Sequence, residues 1–382
     1  MPVKPLLLLS RGADDADFLY ACRFGVEHAL YLRFGDGDDL IAVQPLELDR
    51  ARLEGRAASV IDVNEAGWED RPDRTAAWCA FAARLLAGRG VTAVRVSPLL
   101  PAAAYEGLRG AGLEPEIDHA LFTAERRRKS GEEAEWIRAA QEAAQAACVE
   151  VIARLAEAEP GPDGALWLGS RPLTSERLMA RAQAALNEIG YGAAEMIVAG
   201  SPECALPHVS GAGPIRAGQP VIIDLFPRGF TSRYHGDLTR TVVAGGRPSD
   251  EVRRMHDACV EALDGAIAAL RDGADGRDVH RGVCRTLVER GYGTSTAGFA
   301  GPAGRPRMIH STGHGVGLDV HEEPSLRDVA CPLCAGDVVT VEPGLYLAGL
   351  GGVRVEDTGL VTADGFRNFT TLPRSLDPAD YV

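Results

Sequence analysis

The sequence has no long apolar run, no excess of basic charge, no spaced cysteine framework and no internal repeat, and each absence removes a class of protein. Its leucine run lies in MPVKPLLLLSRGADDAD, where Asp14 and Asp15 interrupt it, so neither a secretory leader nor a membrane span is expected. Acidic residues outnumber basic ones by 54 to 40, and the formal net charge of −14 argues against nucleic acid or an anionic membrane surface as a partner. The eight cysteines are scattered, and only Cys331 and Cys334 sit close together, in a lone CPLC. With no second CxxC to complete a zinc site, they read as small buried side chains in a cytoplasmic protein.

What remains is a chain of ordinary globular composition, long enough at 382 residues for two domains. Up to residue 123, short strand-like runs (HALYLRF, DDLIAVQ, VTAVRVS) mix with the alanine-rich helical stretch TAAWCAFAARLLAGRG, a pattern of α/β type. A second domain over residues 124–382 opens with a helix that Ser130 caps, with Glu132 and Glu133 in its first turn and a stop at Pro160 and Gly161. Three more helices follow: SERLMARAQAALNEIG, a stretch from Asp250 capped by Ser249 and stopping at Gly273, and Asp278 to Arg290. Between and after them, β-branched alternation predicts strands in PVIIDLF, DLTRTVVA, DVVTVEPG and GGVRVEDTGLVT.

These strands carry carboxylates at awkward positions. Asp224 sits among Val221, Ile222, Ile223, Leu225 and Phe226, Glu342 follows Val338, Val339 and Val341, Asp237 opens DLTRTVV, and Glu356 lies in VRVED with Arg354 expected on the same face. A carboxylate in an apolar strand is costly unless something pairs with it. Arg240 or Arg354 could neutralise one acid, and two divalent cations would balance all four. The stretch HSTGHGVGLDVHEEP adds three of the nine histidines, His310, His314 and His321, among glycines that let the backbone approach a ligand. Oxygen-rich ligands with an imidazole favour a dinuclear site of manganese, cobalt, iron or zinc over a closed structural zinc.

The order Asp224, Asp237 in DLTRT, His314 in HSTGHGVGLDVHEEP, Glu342 in TVEPGLY and Glu356 in GGVRVEDTG resembles the pita-bread metallopeptidases, and within them the Xaa-Pro dipeptidases and Xaa-Pro aminopeptidases. ALPHVSGAGPIRAGQPVIIDL and RRRKSGEEAEWIRAA are also similar to that family, and residues 1–123 to its creatinase-type N-terminal domain. The resemblance implies an α+β fold, a curved antiparallel sheet with flanking helices after a smaller α/β domain. It implies two divalent ions, manganese first, with Asp224 on one, His314 and Glu342 on the other, and Asp237 and Glu356 bridging. Glu342 would also carry the proton that the departing proline nitrogen must acquire. His310, His321 and His208 of ALPH would face the substrate, a small peptide cut before proline. A homodimer is the usual assembly in the family.

Departures and ordinary roles belong beside these. The step from Asp224 to Asp237 is longer than the family pattern and predicts a lengthened hairpin that brings Tyr234 and His235 to the edge of the site, with His235 a solvated turn residue. Arg327 could hold a free substrate carboxylate or be an exposed loop residue, and Arg354 could bind substrate or orient Glu356. Glu322 and Glu323 fit the site's surroundings or a solvated loop, and His119, His256 and His280 look structural. Two alternatives stand beside peptidase action. One is a pita-bread enzyme acting on another small molecule, as creatinase-like and ectoine-hydrolysing proteins do; the other is a catalytically silent binding module, against which the intact ligand set counts.

Overall fold

A computed structural model describes residues 4–382, which form two compact units that divide between Arg126 and Arg127. Among the described residues, no helix is long and apolar enough to cross a membrane.

The first unit is a six-stranded mixed sheet of β1 (Leu6–Leu9), β2 (Ala29–Gly35), β3 (Asp38–Val43), β4 (Ser59–Asp62), β5 (Ala93–Val96) and β6 (Glu114–Ile117), in the order β4-β3-β2-β1-β5-β6. Helices α1 (Ala16–Cys22), α2 (Leu48–Glu54), α3 (Arg74–Ala87) and α4 (Ala102–Gly110) accompany it. The leucine run is β1. Because strand side chains alternate, Leu6 and Leu8 join Phe18, Tyr31, Ile41 and Val43 in one core, while Leu7 joins Leu30, Leu32, Leu40, Trp78 and Phe81 in another. A strand buried on both faces reads as an unbroken apolar run for this reason.

The second unit begins with α5 (Gly131–Ala156). Ser130 Oγ accepts from the Glu133 amide at 3.2 Å, and Glu133 Oε2 accepts from the Ser130 amide at 2.8 Å, a reciprocal cap that satisfies two otherwise orphaned donors. Ser130→Ala should therefore lower the unfolding free energy by about 1 kcal/mol. Urea denaturation measures this, and an unshifted midpoint would show that the cap contributes nothing. Helices α6 (Ser175–Glu188), α7 (Asp250–Ala269) and α8 (Gly276–Glu289) follow. The third stops short of Gly273 because Leu270 has left the helical region, and the fourth starts before Asp278 because the Asp275 side chain caps the Arg277 amide.

Strands β7 (Ile197–Gly200), β8 (Pro220–Leu225) and β9 (Leu238–Val243) form one antiparallel sheet. A second sheet takes β10 (Gly313–Gly315), β11 (Glu322–Leu326), β12 (Val338–Val341), β15 (Asp357–Val361) and β16 (Phe366–Asn368) in the order β11-β10-β12-β15-β16. Between them in sequence, β13 (Gly344–Leu347) and β14 (Gly351–Arg354) pair as a hairpin. The segment GGVRVEDTGLVT is thus two strands in two sheets rather than one. At the crossing, the Glu356 amide donates to the Thr239 carbonyl at 3.1 Å and the Val355 amide to Pro343 at 3.3 Å. Glu356 therefore lies outside the strand that ends at Arg354, yet both side chains reach the same Thr239 hydroxyl, as expected of residues on one side of the chain.

Burial alternation positions everything that follows. Val221, Ile223 and Leu225 of β8 and Leu238 and Val242 of β9 pack with α5 and α6, and Val339 and Val341 of β12 pack with α7 and α8. The intervening residues point the other way: Ile222 joins a separate small cluster, and Thr239 and Thr340 bond to Glu356 and His314. The helices cover the apolar faces, and the carboxylates lie at strand ends on the remaining face.

Candidate metal centre

Asp224 is the next-to-last residue of β8, Asp237 immediately precedes β9, His314 is the middle of β10, Glu342 follows β12, and Glu356 occupies the crossing between β14 and β15. The folded chain brings them together. Ligand atoms of Asp237, His314 and Glu356 all lie within 4.8 Å of one another, and His314 Nε2 is 3.4 Å from Glu342 Oε1 and 3.6 Å from Asp237 Oδ2.

The protonation of His314 follows from its other nitrogen. Nδ1 lies 3.1 Å from the Gly315 carbonyl, an atom that can only accept, so Nδ1 carries the proton and Nε2 turns a lone pair toward the two carboxylates. Burial holds this imidazole below its ordinary range, which keeps it neutral. Burial also raises Asp237 and Glu356 well above the usual carboxylate range, with mutual repulsion adding to it, and raises Glu342 in the same direction. One carboxylate oxygen of Asp224 is buried with no hydrogen-bond partner. A lone pair facing carboxylates and an orphaned carboxylate oxygen form a set of acceptors with no donor among them. Divalent cations fit such a set, and the mix of four carboxylates with one imidazole suits Mn, Co, Fe or Zn in an open site.

Around this cluster, Arg354 is the organising cation. Only 3 % exposed, it forms an ion pair with Asp224, donates from Nη1 to Tyr346 Oη at 2.8 Å and from Nε to Thr239 Oγ1 at 3.2 Å. Thr239 in turn donates to Glu356 Oε2 at 2.8 Å. Arg354 thus reaches Glu356 through a hydroxyl, and its burial leaves the guanidinium committed to the protein rather than open to a substrate. Arg240, the other arginine considered for charge balance, instead pairs with Asp357 at 3.0 Å. The Asp237 backbone is fixed by Gln141, whose Oε1 accepts from its amide and whose Nε2 donates to its carbonyl, both at 2.8 Å.

The remaining histidines divide. His310 is half-buried with both ring nitrogens engaged, Nδ1 on the Ser311 carbonyl at 2.7 Å and Nε2 on Tyr346 Oη at 2.9 Å, so it is held inside rather than presented. His321 is exposed, and its ring meets that of His314 edge-on at 4.2 Å between centroids. His208 is exposed as well, and burial chiefly lowers the pKa of His310 and His321, with His208 adding to it. Arg327 is exposed just past β11. His256 and His280 are buried, the latter between Thr296 and Thr312.

The segment between β8 and β9 corrects one sequence expectation. His235 is half-buried rather than solvated: its amide donates to the Gly317 carbonyl at 2.9 Å, Nδ1 lies 3.4 Å from the Phe226 carbonyl, and burial pulls its pKa down to about 4. Tyr234 beside it is buried and donates to Glu133 Oε1 at 2.6 Å. Because the His235 ring is directed at Phe226, His235→Ala should leave the metal content at about two ions per chain, as expected for a dinuclear site. Elemental analysis of the purified variant checks this, and loss of one ion would make His235 a ligand.

Four contributors carry no mark in the sequence reading: Gln141, Thr239, Tyr346 and Lys129, whose Nζ bonds Glu322 Oε1 at 2.7 Å. Only Tyr346, in PGLYL beside Glu342, carried a usable signal, its closeness in sequence to a strand-borne acid. Gly313 has a plain steric cause: a Cβ there would lie 2.1 Å from the Thr340 carbonyl of β12, so only glycine lets β10 bring His314 this close.

Residues 135–363 match metallopeptidase family M24. The chain is 35 % identical over 184 residues to the Xaa-Pro dipeptidase of Pyrococcus furiosus, an overlap of 48 % of this chain and 49 % of that protein. It is 36 % identical over 233 residues to Xaa-Pro aminopeptidase 1 of Streptomyces coelicolor, covering 54 % of this chain and 47 % of the relative. The chain therefore spans about half the length of the curated relatives it matches. Among solved structures, an Xaa-Pro dipeptidase from Bacillus anthracis superimposes with a TM-score of 0.81 at 23 % identity, over 98 % of this chain and 95 % of that one. The shared fold is the pita-bread arrangement behind a smaller α/β domain.

Proposed function

The chain belongs to metallopeptidase family M24, and on that footing we propose that it hydrolyses the peptide bond preceding proline in dipeptides or short peptides. The observation that carries the reading is the convergence of Asp224, Asp237, His314, Glu342 and Glu356, with the His314 Nε2 lone pair facing carboxylates and one Asp224 oxygen left without a hydrogen-bond partner. Asp224 would hold one divalent ion, His314 and Glu342 the other, and Asp237 and Glu356 would bridge the pair. Ions held there would acidify a coordinated water and polarise the scissile carbonyl. Manganese is the proposed metal, and a cytoplasmic homodimer the proposed setting.

The chain's own residues supply the proton traffic. Glu342, half-buried and with its pKa raised chiefly by desolvation, would take a proton from the attacking water and deliver it to the departing nitrogen. His321 and His208, the two exposed imidazoles beside the cluster, would donate hydrogen bonds to the oxygen on which charge develops. Arg354, Tyr346 and Thr239 would orient Asp224, His310 and Glu356 rather than touch substrate.

Chelator-stripped protein resupplied with Mn, Co or Zn should cleave Ala-Pro, Leu-Pro and Gly-Pro and spare a non-proline control. Cleavage restricted to dipeptides would make it a dipeptidase, and turnover of Ala-Pro-Ala an aminopeptidase. Metal uptake without cleavage of any of them would overturn the peptidase reading in favour of another small substrate on the same fold.

A further inference from the structure

Lys129 and Glu322 form an ion pair that the proposed chemistry does not use. Their side chains are 1 % and 8 % exposed, far more buried than most ion pairs of this chain, and they stand 193 residues apart in sequence. Withdrawing both charges from water costs several kcal/mol, which the Coulomb gain roughly repays, so a pair of apolar side chains would serve stability as well. Stability alone therefore does not account for the pair.

Its place in the fold does. Glu322 is the first residue of β11, and its backbone pairs with Gly315, next to His314. Its carboxylate fills the space beside Gly317, where a Cβ would come within 2.4 Å of it. Lys129 Nζ bonds that carboxylate at 2.7 Å, and its own amide donates to the Gly336 carbonyl at 3.0 Å, ahead of β12. The residue immediately before Glu322 is His321. Among the described residues, the His321 ring makes no hydrogen bond to protein and meets His314 only by ring contact. The backbone of such an imidazole sets where its ring can stand and whether it meets the ring of His314, and that backbone is anchored by Glu322.

We propose that Lys129 is a positioning residue: by holding the Glu322 carboxylate against the Gly315–Gly317 turn, it fixes the backbone that aims His321 across the His314 ring at the substrate. The inference rests on the peptidase reading for the role of His321, but the geometry it asserts can be read without turnover. If His321 acts on developing charge, misaiming it lowers kcat and leaves KM nearly unchanged.

The test compares Lys129→Met, Lys129→Arg and the double variant Lys129→Met/Glu322→Leu with the parent chain, all loaded with zinc. Turnover of Ala-Pro is measured together with the 15N-edited imidazole spectrum, in which the His321 resonance is assigned by its loss in His321→Gln. The double variant should fold with an unfolding midpoint near that of the parent, while kcat falls about 10- to 100-fold at nearly constant KM. Its His321 resonance should shift and broaden while that of His280, buried between Thr296 and Thr312, stays in place. Lys129→Arg should recover most of both signals. Lys129→Met alone removes the lysine charge from a Glu322 carboxylate whose side chain is 8 % exposed, so its low yield is expected, and the double variant carries the decision. A folded double variant with parental kcat and an unmoved His321 resonance overturns the proposal. If the parent itself cleaves no Xaa-Pro substrate, the peptidase reading fails, and the His321 resonance still decides whether the pair positions that ring.

Discussion

Glu342→Gln should leave a folded, metal-binding protein that hydrolyses Xaa-Pro substrates at least about 1000-fold more slowly, the range expected when a general acid–base group is lost. The amide is nearly isosteric and can still ligate through its oxygen, but it can neither take a proton from water nor return one to nitrogen. The leaving nitrogen of an Xaa-Pro bond carries no hydrogen of its own, so a missing donor falls on the bond-breaking step. The neighbours of Glu342, His314 Nε2 at 3.4 Å among them, would tolerate the neutral side chain. Steady-state kinetics on metal-loaded protein decides the matter. Undiminished kcat with full metal content would remove Glu342 from the chemistry and leave it a ligand only.

Metal should also dominate the stability of the second unit, and it should do so increasingly as pH rises. Without cations, burial and mutual repulsion raise Asp237 and Glu356 well above their ordinary values of 3.8 and 4.5, and Glu342 above 4.5. A carboxyl whose folded pKa is raised favours folding fully below its unfolded pKa and loses that contribution as pH climbs through the folded value. The metal-free protein should therefore lose stability as pH rises from about 4 through the raised values of these acids. His314 works in the opposite sense, because its lowered pKa costs stability below the ordinary imidazole value of 6.5, and it adds no slope above that. Cations that neutralise the acids remove the penalty, so the gap between loaded and stripped protein should widen toward alkaline pH. An ion at a thousandfold excess over its Kd contributes about 4 kcal/mol. Thermal unfolding of stripped and Mn-loaded protein from pH 5 to 8 measures the gap, and a constant gap across that range would contradict charge repulsion as its origin.

Much of the architecture was legible because it is written in local rules. The Ser130 cap, the Ser249 cap, the apolar spacing of the long helices and the alternation in PVIIDLF each need only a few neighbouring residues to be recognised. Local rules also explain the misreadings. GGVRVEDTGLVT alternates like one strand, and only contacts to Thr239 and Pro343 break it at Val355 and Glu356. His235 was expected to be a solvated turn residue, whereas its amide bonds Gly317 and its neighbour Tyr234 bonds Glu133, contacts no local rule reveals.

By itself the sequence determined that four strand-borne acids and a glycine-flanked histidine needed a shared counter-charge, since apolar strands cannot carry lone carboxylates. The resemblance it bears supplied the family to which the chain belongs. Tertiary structure alone decided who stands beside whom: that Arg354 turns to Asp224, Thr239 and Tyr346, that His310 spends both nitrogens on the protein, and that Lys129 reaches Glu322. Those partners are separated by many residues in the chain, 193 for the last pair and 130 for Arg354 with Asp224. Periodicity tells which face a side chain takes, but strand order and register, set by the packing of the whole sheet, choose the neighbour it meets there.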